Sequence, residues 1–272
     1  MVSDLDIYIF DLRGYLVLER VIEPDHVKEL NAILDEMPHL KPGEWHGYLH
    51  GGVLDIPTVG TTLYQIYEAG EPFERLIDSP SWIDHVKTFV GGQNSFDSQH
   101  GPLFIDENFV IIRGPGEAAG LHGSCTPWSK RTQFHVQNQE FNCGMINIFM
   151  ALSDIGPDNG PTMVIPGSHK SNFRNPDFDP EKIKARNKAA DSATGAIEVH
   201  LKAGDVLLFV DCLNHGAKRL ISGERRTVIY RYGPSWGFFR DGYRPSKELL
   251  TRLTPERRKI VWPHGKIENS PY

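Results

Sequence analysis

The chain has 272 residues, 39% hydrophobic and 24% charged, with a formal net charge of −6 and a pI near 6.1. That is the make-up of a globular protein long enough to bury a sizeable core. The acidic balance argues against a nucleic-acid surface, and no apolar run approaches the roughly 18 residues of a membrane span.

Three cysteines (Cys125, Cys143 and Cys212) at no metal-like spacing argue against a disulfide framework, and MVSDLDIYIF lacks the basic-then-apolar layout of a signal peptide. A cytoplasmic protein is the expectation. Residues 1–100 read as a helical layer with loops. Within them, Tyr15 to Val21 has the aromatic and β-branched run of a strand. EPDHVKELNAILDEM then places Val27, Leu30, Leu34 and Met37 on one helical face, with Pro24 and Asp25 as a start signal. Residues 38–60, rich in Gly, Pro and His, read as loop, and residues 72–92 predict a short helix ended by Gly91–Gly92.

From about residue 101 the pattern changes. PLFIDENFVIIRGPG, TQFHVQN, CGMINIFMALSDIGPDNG, PTMVIPGSHK, AIEVHLKAGDVLLFV and RRTVIYRYGP are short, partly alternating runs separated by Gly/Pro turns, which predicts a β-sandwich or barrel. Residues 170–195 form a polar insertion of partly helical character. The expected organisation is one domain over 1–272: the helical layer, a β core over 101–235 and a C-terminal extension over 236–272.

Three stretches carry chemistry. AAGLHGS places His122 after a Gly-rich turn; DIGPDNGPTMVIPGSHK is a turn, a strand and a second turn; VDCLNHGAKRLISGERR sets Asp211 four residues before His215, with Arg225 and Arg226 beyond. Together and in this order they resemble the phytanoyl-CoA dioxygenase family of iron(II)- and 2-oxoglutarate-dependent oxygenases, over roughly residues 100–235. The resemblance implies a double-stranded β-helix, the jelly roll of cupin-like proteins, with an N-terminal helical layer. It also implies Fe(II) held by two histidines and a carboxylate, 2-oxoglutarate as cosubstrate, O2, and hydroxylation of an unactivated C–H bond of a small organic substrate.

Such a site needs a facial set of protein ligands that leaves positions open, and a planar bidentate cation for the far carboxylate of 2-oxoglutarate. The resemblance assigns His122 as proximal and His215 as distal ligand. It prefers Arg226 to Arg225 as the clamp, because Arg226 has the family's separation from the distal histidine. Alternation puts Arg226, Val228 and Tyr230 on one face and Arg225 on the other.

The family's His-x-Asp is here His122-Gly123-Ser124, and three alternatives stand. The carboxylate has moved to Asp211, whose even spacing from His215 lets both face one metal. Or chloride takes its place, as in related iron halogenases that carry Gly or Ala there. Or the metal is lost and the barrel is a non-catalytic binding module.

Asn147 and Phe149 share a face of GMINIFMAL and are candidates to border the cosubstrate, beside a plain packing role. His135 is a rival proximal ligand, ranked below His122. HGYLH (His46, His50) reads as loop rather than helix, with a substrate-facing role as its sharper reading. Trp128 and Trp236 are candidate pocket walls, Cys125 and Cys212 packing residues beside the site, and His169 a turn residue. The remaining histidines, among them His26, His39, His85, His100 and His264, and the Arg252–Lys259 basic cluster read as surface features.

Overall fold

The computed structural model describes residues 2–52, 58–91, 96, 100–126, 128–177, 189–237 and 243–263. The chain opens with α1 (Asp4–Arg13), β1 (Tyr15–Leu18) and α2 (Pro24–Glu36), then β2 (Trp45–His46), β3 (Leu49–Gly52) and β4 (Thr58–Tyr64). After α3 (Glu71–Glu74) and α4 (Ile83–Val90) come β5 (Leu103–Gly116), β6 (Phe134–Gln137), β7 (Glu140–Cys143) and β8 (Ile146–Ala151). β9 (Thr162–Val164), β10 (Ile197–Val199), β11 (Val206–Val210), β12 (His215–Ala217) and β13 (Arg225–Pro234) complete the strands, and α5 (Lys247–Arg252) and α6 (Pro255–Val261) follow.

The strands pair antiparallel into an eight-stranded sheet, β1-β11-β8-β13-β5-β4-β3-β2, and a three-stranded sheet, β10-β9-β12, with β6–β7 as a separate hairpin. A backbone bridge between His122 and His215 adds the segment around residue 122 to the free side of β12. This is the jelly-roll architecture that the resemblance implied. β8 and β11 are buried along their whole length, as continuous apolar strands covered on both faces should be.

Register sorts the faces of the large sheet. Arg225, Thr227, Ile229 and Arg231 on β13 stand opposite Arg113, Ile111, Phe109 and Glu107 on β5, and Thr227, Ile229 and Arg231 stand opposite Ala151, Phe149 and Asn147 on β8. The alternate residues point away, toward the helical layer. There the Tyr230 hydroxyl donates to the Phe73 carbonyl at 2.8 Å and that of Tyr232 to Ile77 at 2.9 Å. α2 buries Val27, Leu30 and Leu34 as its periodicity predicts, and α4 ends at Gly91, held at φ +70°. A side chain there would lie 1.4 Å from the Phe141 carbonyl oxygen, so close approach as well as conformation demands glycine.

Within residues 38–60 the loop expectation holds for 38–44 and is corrected for 45–52 and 58–60, where β2, β3 and the start of β4 extend the large sheet beyond β5; residues 53–57 lie outside the described residues. The glycines that suggested a loop serve tight packing, because a Cβ at Gly51 would lie 2.1 Å from the Lys41 carbonyl and one at Gly52 2.0 Å from the Tyr64 ring. HGYLH is therefore a hairpin, with His46 opposite Leu49. Since β1 to β4 also belong to the large sheet, the sheet draws on both sides of residue 101. Gly92, His264 and the middle of the 170–195 insertion lie outside the described residues. Among the described residues no helix is long and apolar enough to cross a membrane.

α1 is started by a capping box in which the Asp6 amide donates to Ser3 Oγ at 3.1 Å and the Ser3 amide donates to Asp6 Oδ2 at 3.0 Å. The helix carries Phe10, stacked on Phe89 at 3.7 Å between ring centres. Ser3→Ala is expected to cost about 1 kcal/mol, seen as a lower urea midpoint at unchanged slope.

Candidate metal and cosubstrate site

The small sheet brings the two histidines together. His122 and His215 exchange both backbone hydrogen bonds at 2.8 Å, and their ring centres are 4.1 Å apart. Nδ1 of His122 lies 3.1 Å from the Gly120 carbonyl and Nδ1 of His215 2.7 Å from that of Leu213. A carbonyl can only accept, so each Nδ1 carries the proton and each Nε2 keeps its lone pair, as in a metal-ligating imidazole. Burial lowers the pKa of His215 to about 3, with His122 beside it adding to the effect. His122 reaches solvent at the barrel mouth, yet desolvation by the surrounding protein lowers its pKa as well. Both rings stay neutral near pH 7.

Asp211 ends β11 next to this pair and is itself buried. Burial raises its carboxyl pKa; Arg231 first, then Arg131, His215 and a hydrogen bond from Asn147 more than offset that and hold it below the ordinary value. Arg131 Nη2 touches both carboxylate oxygens, at 3.1 and 3.3 Å, and Asn147 Nδ2 donates to one at 3.2 Å. Asp211 thus faces the histidines electrostatically but is gripped by Arg131. Among the described residues no three His, Cys, Asp or Glu side chains already form a metal cage. Ser124 takes no part, since its hydroxyl turns back to the Thr126 carbonyl at 3.0 Å.

At the far end of the same inner face lie two arginines. Arg113 and Arg225, directly opposite in register, are 1% and 4% exposed. Each donates one hydrogen bond to a backbone carbonyl, Arg113 to Glu117 and Arg225 to Gly160, and neither meets a carboxylate among the described residues. Arg113 Nε and Nη1 and Arg225 Nε are buried without partners among the described residues. Burial, with Arg113 alongside, lowers the pKa of Arg225 to about 9. Phe149 forms the floor, its ring centre 5.7 Å from the Arg225 guanidinium carbon. Gly160 of the Asn-Gly-Pro turn sits close enough that a Cβ would lie 3.4 Å from Arg113 Nη1, which is why the turn can deliver its carbonyl to Arg225.

Arg226 is corrected. It lies on the outer face, ion-paired with Asp35 at 2.6 Å and Glu224 at 2.7 Å, and bonded to Asn31 on α2 at 3.3 Å. Alternation did separate the two arginines, and the one at the family's separation from His215 is the one that faces outward. Residues 218–224 cross from the small sheet to the large one outside any strand, so no period-2 parity survives the crossing.

Other expectations fall as follows. Phe149 and Asn147 both face inward, Asn147 next to Asp211 with its Oδ1 buried and unpartnered. His135 is exposed on the β6–β7 hairpin, its Nε2 taking the Trp128 indole N–H at 3.2 Å, and is not beside His122. Trp128 and Trp236 are 58% and 47% exposed. His169 is fully buried and bonds the Asp11 carbonyl at 3.0 Å, a turn residue as expected. Of the rest, His26, His39 and His85 bond Pro72, Thr61 and Asp6, away from the site. Arg113, Arg131 and Arg231 were not singled out from the sequence; the alternation of FVIIRG with the arginine at the strand's inner face was the available signal for Arg113.

A jelly roll with two metal-ready histidines at its mouth and a buried cationic pair behind them defines a class of oxygenase scaffold. The chain belongs to the phytanoyl-CoA dioxygenase (PhyH) family, whose model matches residues 10–228. It is 26% identical over 200 residues to the dioxygenase cdmD of Talaromyces verruculosus, covering 70% of this chain and 57% of that one. The chain spans between 52% and 64% of the length of cdmD and two further curated relatives. Its fold is similar to HygX of Streptomyces hygroscopicus, solved with nickel and 2-oxoglutarate bound, at TM-score 0.69 and 22% identity over 92% of this chain and 94% of that one. It is also similar, at TM-score 0.56 and 14% identity over 88% and 91% of the two chains, to SnoN, a non-heme α-ketoglutarate-dependent epimerase.

Proposed function

We propose that the chain is an Fe(II)/2-oxoglutarate-dependent oxygenase that hydroxylates an unactivated C–H bond of a small organic substrate. The observation that carries this reading is the Arg113–Arg225 pair: two buried guanidiniums side by side are unfavourable unless an anion joins them, and 2-oxoglutarate ends in a planar carboxylate that fits. The donor set agrees. His122 and His215 would hold the metal through Nε2, and Asp211, whose charge acts on both rings, would be the third ligand once released by Arg131. Bound iron would supply oxygen activation coupled to decarboxylation of 2-oxoglutarate.

The chain's own groups do the rest. Arg225 and Arg113 anchor the cosubstrate's far end, and Phe149 closes the pocket floor against water. Asn147 fixes Asp211, while the Gly120 and Leu213 carbonyls keep the metal-facing nitrogens unprotonated. A cavity of about 320 Å³ lined by His50, Tyr64, Tyr67, Glu107, Asn108 and Tyr243 offers a substrate seat. Its wall residue Glu107 bonds Arg231 at 2.6 Å, in the row that leads through Asn147 to Asp211. HygX has been solved with hygromycin B bound, and a small organic molecule is the substrate class proposed here.

A second reading is favoured by one observation: Ser124 turns away and Asp211 is held by Arg131, so a halide could occupy the third position, as in an iron halogenase. Anaerobic titration with Fe(II) and then 2-oxoglutarate tests both. The oxygenase reading expects a visible charge-transfer band that is lost in His215→Ala and in Asp211→Ala. A band that survives Asp211→Ala and shifts with chloride selects the halide reading. No band in the wild type would leave a jelly-roll binding module.

A further inference from the structure

We propose that Cys125 and Cys212 form an oxidisable thiol pair, a disulfide site joining the segment that carries His122 to the segment that carries Asp211 and His215. The inference stands apart from the metal reading.

The two segments are clasped at backbone distance. Besides the paired His122 and His215 bonds at 2.8 Å, the side-chain Nδ2 of Asn214 donates to the Gly123 carbonyl. Gly123 sits at φ +84°, and a Cβ there would lie 2.3 Å from the Leu213 carbonyl oxygen and 3.1 Å from that of Asp211. Chains this close bring residues 125 and 212 toward each other, and a disulfide needs Cα atoms roughly 5.5–6 Å apart. The sulfurs converge as well. Both thiols donate to one oxygen, the carbonyl of His169, with Cys212 at 3.4 Å and Cys125 nearer. Two cysteines that served only as apolar filler would have no reason to share a carbonyl.

Their environments divide the labour. Cys125 is half-buried and reachable from solvent, whereas Cys212 is fully buried. Cys125 is therefore the thiol that an oxidant in solvent reaches first, and the thiolate is the attacking form. Cys125 Sγ would attack one oxygen of a peroxide; the O–O bond breaks, and the departing hydroxide takes a proton and leaves as water. Cys212 Sγ then attacks the sulfenic sulfur, the S–O bond breaks, and a second water departs. In sum, two thiols and one hydrogen peroxide give one disulfide and two waters, the thiols losing the two electrons that the peroxide gains. Cys143 is buried and is not one of the thiols that meet at the His169 carbonyl, so it takes no part.

The test uses the reduced full-length chain, treated with hydrogen peroxide near stoichiometry, then denatured and alkylated. Free thiols are expected to fall from three to one, a cross-linked peptide should join Cys125 to Cys212, and dithiothreitol should restore all three. Cys143→Ser should still lose two thiols, and Cys125→Ser should lose none at the same dose. Because the Cys212 site is buried, peptide mapping of the wild type decides independently of how any variant folds. Unchanged thiols, or Cys125 driven to sulfinic acid while Cys212 stays free, would overturn the proposal.

Discussion

Arg225→Met is expected to weaken 2-oxoglutarate binding by roughly 10²-fold or more, while Arg226→Met leaves it within about twofold of wild type. Removing one partner of a buried, hydrogen-bonded charge pair costs about 2–5 kcal/mol, and about 1.4 kcal/mol is a factor of ten. Arg225 is the group to which that figure applies, being 4% exposed with an unpartnered Nε and only a backbone carbonyl to satisfy it. Arg226 shares in a network with Asp35 and Glu224 that is largely open to solvent, so its loss should cost at most about 1 kcal/mol of stability. Isothermal titration of both variants with 2-oxoglutarate in the presence of a redox-inert divalent metal separates the two. Equal losses, or a loss confined to Arg226→Met, would show that β13 presents its other face to the cosubstrate. The ligand-free variant should also be no less stable than wild type, because it relieves the repulsion between Arg225 and Arg113 that helps lower the Arg225 pKa to about 9.

The same strand shows where reading from sequence succeeds and where it stops. Period 2 along RRTVIYRY correctly set Arg225 and Arg226 on opposite faces, and the strand register then carried Phe149 and Asn147 inward as expected. Which face was inner depended on how residues 218–224 cross between sheets, and a crossing has no period. The N-terminal region failed for a related reason. Gly51 and Gly52 look like loop residues until the Lys41 carbonyl is seen against the first and the Tyr64 ring of β4 against the second, so only the tertiary neighbour distinguishes a glycine needed for contact from one needed for flexibility. Helix α2 needed no such partner, because four apolar positions on one face and a Pro start are local signals. The two histidines to which the motifs pointed do meet across β12. Arg131 was not legible, since it reaches Asp211 from a loop anchored at Gly144, where a Cβ would lie 2.4 Å from the Arg131 carbonyl oxygen.

That loop arginine supplies the second large effect: Arg131→Met is expected to tighten divalent metal binding by about tenfold or more. Both Asp211 oxygens lie within 3.3 Å of Arg131 Nη2, so a metal at His122 and His215 must share the carboxylate with a guanidinium or displace it. The repulsion adds to that competition, since at an effective dielectric near 20 a unit charge and a divalent ion roughly 6 Å apart disfavour each other by several kcal/mol, less where the mouth admits water. Removing the cation should therefore free Asp211 for the metal. It also leaves a buried carboxylate with one charge-assisted partner fewer, so the metal-free variant should lose about 2 kcal/mol of stability. Arg231, already paired with Glu107, softens that loss. The two effects have opposite signs and can be read in one experiment: thermal unfolding with and without Co(II). The variant should melt lower than wild type without metal and gain more on adding it, because stabilisation grows as the logarithm of ligand over Kd. A smaller gain than wild type would mean that Arg131 orients Asp211 toward the metal instead of withholding it. Asp211→Asn sets the reference: it should abolish the difference between Arg131 and methionine, because without the carboxylate charge there is nothing for the two cations to contest.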